Sequence, residues 1–124
     1  MYIAKLKEMF ERVTIQKNHS LIPHYYHPDF LLYTNEEKMD YKSFLDSHLE
    51  IYKTPIQYEV AYDEETLMEQ GEKVAGRVWI TTKRPNEASV KIEVILIAQY
   101  KSGKIYRLWE LTYPDWSELP AFKN

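Results

Sequence analysis

The hydrophobic positions in the first third of the chain recur at helical spacing. Apolar residues three or four positions apart predict an amphipathic helix over residues 2–16. A second helix is predicted over residues 20–27, because Pro28 cannot continue it. A short strand at 30–34 then precedes a third helix over 40–52, whose first residue is an aspartate suited to capping.

From residue 55 onward the pattern changes to an alternation of apolar and polar positions, which is typical of β-strands. It predicts strands over 56–62, 73–83, 90–101 and 104–113, with Gly71 at the first hairpin. Helices followed by an antiparallel meander predict an α+β domain with the helices on one face of the sheet.

The last two strands are apolar on both faces, although a sheet covered on one side needs only one apolar face. One face of the predicted strand 90–101 carries Val94, Leu96 and Ala98, and the other carries Ile95 and Ile97. In the last strand Leu108 lies opposite Ile105, Trp109 and Leu111. We therefore expect both faces to be covered.

Composition narrows the possible functions. Apolar residues make up 44% of the 124 residues, enough for the core of one domain over 1–124. The net charge of −3 lacks the basic excess of a nucleic-acid binder, and the absence of cysteine excludes disulfides and thiolate sites. The longest apolar run, 94–98, is too short to span a membrane. A charged N-terminus unlike a signal peptide favours a cytoplasmic location, with no nucleic-acid or membrane partner.

Several stretches have an order and spacing found together in one superfamily. They are Tyr-Tyr-His-Pro-Asp-Phe at residues 25–30, the third helix at 40–49, Gly-Lys-Ile at 103–105, and Trp-Glu at 109–110. With the predicted elements around them, they resemble the nuclear-transport-factor-two-like superfamily, in particular its SnoaL-like branch. The resemblance covers nearly the whole chain.

The resemblance implies a cone-shaped α+β barrel, in which three N-terminal helices pack on a curved, mostly antiparallel sheet and enclose an apolar cavity. It also implies a homodimer that packs through the outer face of the sheet, with Ile95, Ile97, Trp109 and Leu111 near the centre. Because such a fold hosts isomerases, cyclases, dehydratases, epoxide hydrolases and non-catalytic binders, the fold alone decides no function.

Alignment with the ketosteroid isomerases argues against one activity of this superfamily. Phe10, Thr34 and Leu96 fall where those enzymes have a hydrogen-bonding tyrosine, an aspartate base and a second acid. A proton shuttle needs a base and an oxyanion donor, so we expect no steroid isomerisation of that kind.

The last strand gives a different result. When the sequences are aligned on residues 103–105, Glu110 falls where the limonene epoxide hydrolase-like and SnoaL-like cyclase branches carry an aspartate that acts as a base or an acid. Arg77 matches the arginine of an Arg-x-Asp element, but Trp79 replaces its aspartate, so the hydrolase dyad is incomplete. His48 falls at a cavity-facing position of the third helix. The resemblance thus implies Glu110, His48 and Arg77 as catalytic candidates, while a structural Glu110–Arg77 pair is the alternative.

The predicted surroundings of Glu110 follow from strand alternation and the expected cavity. We expect the substrate-binding residues to be Leu108 and Thr112 beside Glu110, Leu96 on the next strand, and Tyr33, Tyr62 and Trp79 across the cavity. His24 and His27 have a spacing that a metal could use, but Pro28 breaks that turn. We expect no metal and no cofactor.

Three functions are compatible with these residues. The first is cofactor-free acid/base catalysis, of the isomerase, cyclase or dehydratase type, on a small apolar molecule with Glu110 as the proton-transferring group. The second is non-catalytic binding of such a molecule, favoured by the missing isomerase and hydrolase residues. The third is a dimeric interaction module that works through the outer surface.

Overall fold

The first helix packs an apolar stripe against the sheet. In the computed structural model, which describes residues 1–123, α1 (Tyr2–Met9) continues as a π-helical segment (Phe10–Ile15). This agrees with the helix predicted over residues 2–16. Its buried side chains are Leu6, Met9, Phe10 and Val13.

The second helix is shorter than predicted, and the strand that follows is longer. A 3-10 turn (His19–Leu21) leads into α2 (Ile22–Tyr25), and β1 spans Tyr26–Thr34. Tyr26 already pairs with Ile105, and the register then shifts before Leu31. Pro28, which has no backbone N–H to donate, lies in this irregular stretch, so it interrupts a strand rather than ending a helix.

Helix α3 (Tyr41–Tyr52) begins where the capping residue predicted it. The Oδ1 atom of Asp40 accepts a hydrogen bond from the backbone N–H of Ser43 at 2.9 Å. Before it lies β2 (Glu37–Asp40), which pairs with β1 and was not predicted. Its sequence, Glu-Lys-Met-Asp, has no apolar alternation to indicate a strand.

The second half of the chain forms the meander. Its strands are β3 (Gln57–Tyr62), β4 (Met68–Gln70), β5 (Lys73–Lys83), β6 (Val90–Lys101) and β7 (Lys104–Tyr113). The bounds of β5, β6 and β7 are those predicted. The fully exposed β4 was missed, because no buried face marks it in the sequence.

The strands form one sheet in the order β2-β1-β7-β6-β5-β3, with β4 paired to β5. Only the β1–β7 pair is parallel. The sheet is curved and carries the three helices on one side, as predicted, but it does not close into a complete barrel. The single parallel pair matters for function because it places the end of β1 beside the end of β7.

The sheet has an inner face, turned toward the helices, and an outer face. Buried side chains of the inner face include Leu32, Val74, Val78, Val94, Leu96, Ala98 and Leu108. The outer face carries large apolar side chains that remain exposed in the single chain: Ile95 at 49%, Ile97 at 44%, Trp109 at 36% and Leu111 at 64%. The two-sided apolar pattern is confirmed, and the single chain covers only its inner side. Ile105, predicted on the outer face, is instead fully buried, because the register of β6 and β7 shifts between Gln99 and Tyr100.

After β7 the chain folds back over the core as a C-terminal segment, residues 114–123. It contains two 3-10 turns, Trp116–Glu118 and Pro120–Phe122. Trp116 and Leu119 pack against the buried core. Within residues 1–123, no helix has the length and apolar character needed to cross a membrane.

Candidate functional site

Glu110 lies on the inner face, near the end of β7. It is paired with Leu96 of β6 on one side and with Thr34 of β1 on the other. Leu108 and Thr112 share its face of β7, as alternation predicts. The Oγ1 atom of Thr34, a fully buried residue, lies 2.7 Å from the Oε2 atom of Glu110.

The electrostatic environment of Glu110 favours its protonated form. Burial raises the pKa of the Glu110 carboxyl, and the hydrogen bond from Thr34 opposes this change. No salt bridge within residues 1–123 involves Glu110. The carboxyl therefore lies in an environment that moves its titration toward neutral pH, which is the range useful for proton transfer.

Two residues near Glu110 were not predicted as parts of the site. The indole Nε1 of Trp116 donates to the Oγ1 of Thr34 at 2.8 Å. The sequence alone relates Thr34 only to the missing aspartate base of the isomerases. Its contact with Glu110 depends on the parallel β1–β7 pairing, which no local sequence pattern indicates, and Trp116 follows the last predicted strand.

His48 also faces the interior but is not joined to Glu110. Its Nδ1 lies 2.7 Å from the backbone carbonyl of Phe44, one helical turn earlier on α3. Because a carbonyl only accepts, Nδ1 carries the proton, and the Nε2 atom of the neutral ring keeps a free lone pair. The ring packs against Phe44 with centroids 4.1 Å apart. Burial lowers the pKa of His48, so the neutral form is favoured.

Arg77 lies on the outer face, and its predicted contact with Glu110 is wrong. Its guanidinium donates to Oδ2 of Asp63 at 2.8 Å and to Oε2 of Glu93 at 3.0 Å. The reason is strand parity: Val78 is fully buried on the inner face, so both of its neighbours, Arg77 and Trp79, point outward.

The aromatic residues predicted to line the interior are divided between the two faces. Trp79 lies outside, 4.8 Å from the guanidinium of Arg77. Tyr33 is also outside, stacked on Trp109 with ring centroids 6.0 Å apart. Neither can meet a ligand that contacts Glu110 from within. Tyr62 lies inside, 6.2 Å from the ring of Phe10, and burial raises its pKa to about 12.

The structure thus brings together a subset of the predicted site. Glu110, Leu96, Leu108 and Thr112 are neighbours, His48 and Tyr62 face the same interior, and Arg77, Trp79 and Tyr33 do not. Open grooves of about 580 and 400 Å³ lie elsewhere, the first along β4–β6 and the second along β3 and β5. Neither contains Glu110, so an enclosed cavity beside it stays a prediction.

The described residues offer no obvious metal site. Within residues 1–123 there is no group of three or more His, Asp or Glu side chains placed to hold an ion. The Nδ1 of His27 instead accepts from the backbone N–H of Asp29 at 3.0 Å. The interior between the helices and the sheet contains the Glu110 carboxyl group, the neutral imidazole of His48 and tyrosine hydroxyls. These groups can exchange protons and hydrogen-bond an oxygenated molecule.

Comparison with known proteins identifies the fold. No protein-family model matches the chain, and no curated protein matches it. Among solved structures, a "Putative Isomerase from Rhodopseudomonas palustris" superposes with a TM-score of 0.75 at 8% identity, over 90% of this chain and 89% of that one. An "M. tuberculosis LEH-like epoxide hydrolase" gives 0.72 at 10% identity, over 89% and 83%.

A third similar structure is "wild-type IdmH, a putative polyketide cyclase from Streptomyces antibioticus", with a TM-score of 0.68 at 11% identity over 88% of this chain and 89% of that one. These neighbours have the nuclear-transport-factor-two-like, SnoaL-like fold, and this chain shares it. The fold that the sequence resemblance implied is therefore confirmed. At such low identity the likeness concerns the fold alone, so function has to be argued from the site.

Proposed function

We propose that this protein binds a small, largely apolar molecule between its helices and the inner face of the sheet. In this proposal Glu110 exchanges a proton with that molecule, in a cofactor-free isomerisation, cyclisation or dehydration. One observation carries the proposal: Glu110 is the only charged side chain on the inner face of the central strands β5, β6 and β7 outside their first and last residues.

A charged group on this apolar face lowers the stability of the fold, so its presence there favours a functional role. Its neighbours on the inner face are Leu96, Leu108 and Thr112, and no cation offsets its charge within residues 1–123. Burying a carboxylate without a cation costs free energy, whereas burying an aliphatic side chain of similar size stabilises the fold. A site that keeps such a group, with its pKa raised by burial, is a candidate for proton transfer.

His48 supplies a second proton-exchanging group in this proposal. The helical hydrogen bond to Phe44 fixes its tautomer, and burial keeps the ring neutral. Its Nε2 lone pair is then available to accept a proton or a hydrogen bond from a bound molecule. The hydroxyl of Tyr62, on β3, donates to the backbone carbonyl of Lys7 at 3.5 Å, and its oxygen can still accept a hydrogen bond from a bound molecule.

The structural neighbours support an enzymatic function of this general type. Their names describe a "Putative Isomerase", an "LEH-like epoxide hydrolase" and a "putative polyketide cyclase". The epoxide-hydrolase reaction fits this chain least well, because Arg77 lies on the opposite face from Glu110 and is paired with Asp63 and Glu93.

A non-catalytic binding protein is the second candidate function. It is favoured by one observation: within residues 1–123 Glu110 hydrogen-bonds to Thr34 and to neither His48 nor Arg77, so no catalytic dyad is assembled. In that case Glu110 would accept a hydrogen bond from the ligand and transfer no proton.

We also propose that two copies of the chain associate through their outer faces. Ile95 is paired with Leu111, and Ile97 with Trp109, so these exposed side chains form one continuous apolar patch across β6 and β7. Patches of this kind are uncommon on monomers. Charged groups of both signs border the patch, Arg77 and Glu93 among them, which suits a self-complementary interface with a second copy.

The acid/base proposal can be tested with 2-tetralone, an apolar bicyclic ketone with acidic protons beside its carbonyl. In D₂O, a base that removes such a proton makes the ketone exchange hydrogen for deuterium, which proton NMR follows directly. We expect Glu110→Gln to slow the exchange by about 10²-fold or more, because the amide keeps the shape but cannot act as a base. Glu59→Gln, the same change at an exposed carboxylate of β3, is the control and should leave the rate unchanged.

The outcomes separate the two candidate functions. Loss of exchange in Glu110→Gln, with the Glu59→Gln rate intact, supports catalysis. If 2-tetralone shifts amide signals of Leu96 and Leu108 but exchanges no faster with the wild-type protein than in buffer, the binder is favoured. Equal exchange rates in wild type and Glu110→Gln would contradict the catalytic role of Glu110.

A further inference from the structure

Trp116 joins the C-terminal segment to the candidate site. Its indole Nε1 lies 2.8 Å from Thr34 Oγ1, and that same oxygen lies 2.7 Å from Glu110 Oε2. One hydroxyl therefore connects the C-terminal segment to the carboxyl group. The three residues come from three separate parts of the chain, namely β1, β7 and the segment after β7.

The direction of each hydrogen bond follows from the donors that are present. An indole N–H can only donate, so Thr34 Oγ1 accepts from Trp116. The single hydroxyl proton of Thr34 is then free for its other partner. An ionised carboxylate can only accept, so Thr34 donates this proton to Glu110 Oε2. A hydroxyl that accepts one hydrogen bond also donates more strongly in the next.

We propose that Trp116 is a positioning residue for Glu110, acting through Thr34: it directs the Thr34 proton onto Oε2 and leaves Oε1 as the oxygen that exchanges protons with a bound molecule. This inference rests on the proposed role of Glu110. It adds that the C-terminal segment completes the site, and that the two carboxyl oxygens have different tasks.

A second set of contacts holds Trp116 in place. The backbone N–H of Trp116 donates to Thr112 Oγ1 at 3.3 Å, and the side-chain amide of Asn35 donates to the same oxygen at 3.0 Å. Asn35 Oδ1 in turn accepts from the backbone N–H of Thr112 at 2.9 Å. Asn35 occupies the turn after β1 with φ at +53°, a conformation that asparagine tolerates better than most residues.

This clamp ties both strands of the parallel pair to the segment. The backbone N–H of Asn35 also donates to the carbonyl of Glu110 at 3.0 Å, so the main chain is fixed directly beside the site. The indole ring of Trp116 meets Phe122 edge to face, with centroids 5.6 Å apart. The segment is thus anchored by directed hydrogen bonds at one point and by packing at another.

Few other ionisable groups influence Glu110. One of them is Tyr26 on β1, whose pKa is raised chiefly by burial. The charges of Tyr52, Tyr100 and Glu110 raise it further, to a smaller extent. His48 on α3 is neutral and held by Phe44. The hydroxyl of Thr34 is the partner that stabilises the Glu110 anion, and its loss should be visible in the titration of that carboxyl group.

The test is a titration of the Glu110 side-chain carboxyl by ¹³C NMR, with the signal assigned by its disappearance in Glu110→Gln. We expect Thr34→Val, which keeps the shape but removes the hydroxyl, to move the midpoint to higher pH. Thr34→Ser should restore it. Trp116→Phe should move it in the same direction but less, because the Thr34 hydroxyl remains and loses only its polarising donor.

Phe122→Leu is the matched control, since it changes the packing of the Trp116 ring without removing a hydrogen bond. It should leave the midpoint at the wild-type value. The positioning role is overturned if Trp116→Phe titrates like the wild type, or if Phe122→Leu shifts the midpoint as far as Trp116→Phe. The readout needs no substrate, so a shifted midpoint with unaltered 2-tetralone exchange in Glu110→Gln would keep the relay and reject the catalytic proposal.

Discussion

The two faces of the sheet differ in whether their charged side chains are paired and in whether their apolar side chains are buried. On the outer face, Arg77 is half-exposed and is bonded to both Asp63 and Glu93. These hydrogen bonds raise the pKa of its already basic guanidinium, so its charge is fixed. On the inner face, Glu110 has no cation beside it within residues 1–123, and burial raises its pKa. The outer charge is compensated, whereas the inner charge can change.

The apolar side chains are buried on the inner face and remain partly exposed on the outer face. On β6, Leu96 is 2% exposed on the inner face, while its neighbour Ile95 is 49% exposed on the outer face. Burial of aliphatic surface stabilises a fold by about 25 cal/mol per Å², a contribution that Ile95 makes only in part within one chain. The comparison indicates that the inner face contributes more to the stability of the single chain than the outer face does. The proposed proton transfer belongs to the inner face, and the proposed self-association belongs to the outer face.

The largest expected effect is on the free energy of unfolding, and it is measured by truncating each of these two neighbours in turn. Leu96→Ala should lower the free energy of unfolding by about 2–5 kcal/mol, because it leaves a cavity in the packed core. Ile95→Ala should lower it by less than about 1 kcal/mol when the chain is monomeric. Urea denaturation at low protein concentration measures both values. Equal losses for the two variants under those conditions would contradict the division between the faces.

One added charge should break the proposed association of the outer faces. Ile97→Asp places a carboxylate in the centre of the apolar patch, where a second copy would have to desolvate it, and should weaken self-association by about 10²-fold or more. Light scattering at micromolar concentration should give about twice the 14.9 kDa chain mass for the wild type and the chain mass for the variant. A wild-type protein that is monomeric at this concentration would refute the dimer.

The smallest of these effects is a pH dependence of stability. Because the pKa of Glu110 is higher in the folded state, the folded chain holds this proton more tightly than the unfolded chain does. Stability from this group is present at acidic pH and is lost as the pH rises from the ordinary range of a glutamate through the folded pKa. Glu110→Gln should therefore gain stability relative to the wild type as the pH increases.

Urea denaturation of both proteins at about pH 4 and about pH 7 measures this change, since contributions shared by the two proteins, such as that of His48, cancel in the difference. A stability difference that stays constant between the two pH values would mean that Glu110 titrates normally. The conclusion that burial raises the pKa of the Glu110 carboxyl would then be wrong.

Much of the fold could be predicted from the sequence because the long elements have clear periodicity. The strands β5, β6 and β7 alternate between a buried and an exposed or half-buried face, and Asp40 marks the start of α3. The missed strands, β2 and β4, are short and polar, so burial leaves no pattern in them. The end of α2 was misplaced because Pro28 interrupts helices and strands alike.

The site was only partly predictable, for a different reason. Glu110, Leu108 and Thr112 follow from the parity of one strand whose core residue was evident. Arg77 and Trp79 required the parity of β5, whose two faces are both apolar enough to be confused. Thr34 and Trp116 depend on contacts between distant parts of the chain, 76 and 82 residues apart in sequence, and no local pattern encodes those.

The most direct test of the central claim, that Glu110 is the proton-transferring group of the interior, is the pH–rate profile of 2-tetralone exchange. A carboxylate acts as a base only when ionised, so the rate should rise with pH through one titration. Its midpoint should lie above the ordinary range of a glutamate and coincide with the ¹³C midpoint of Glu110 measured on the same protein. Exchange in Glu110→Gln should stay near the rate in buffer at every pH. An exchange rate that follows the same profile in the variant would show that another group takes the proton and would contradict the account.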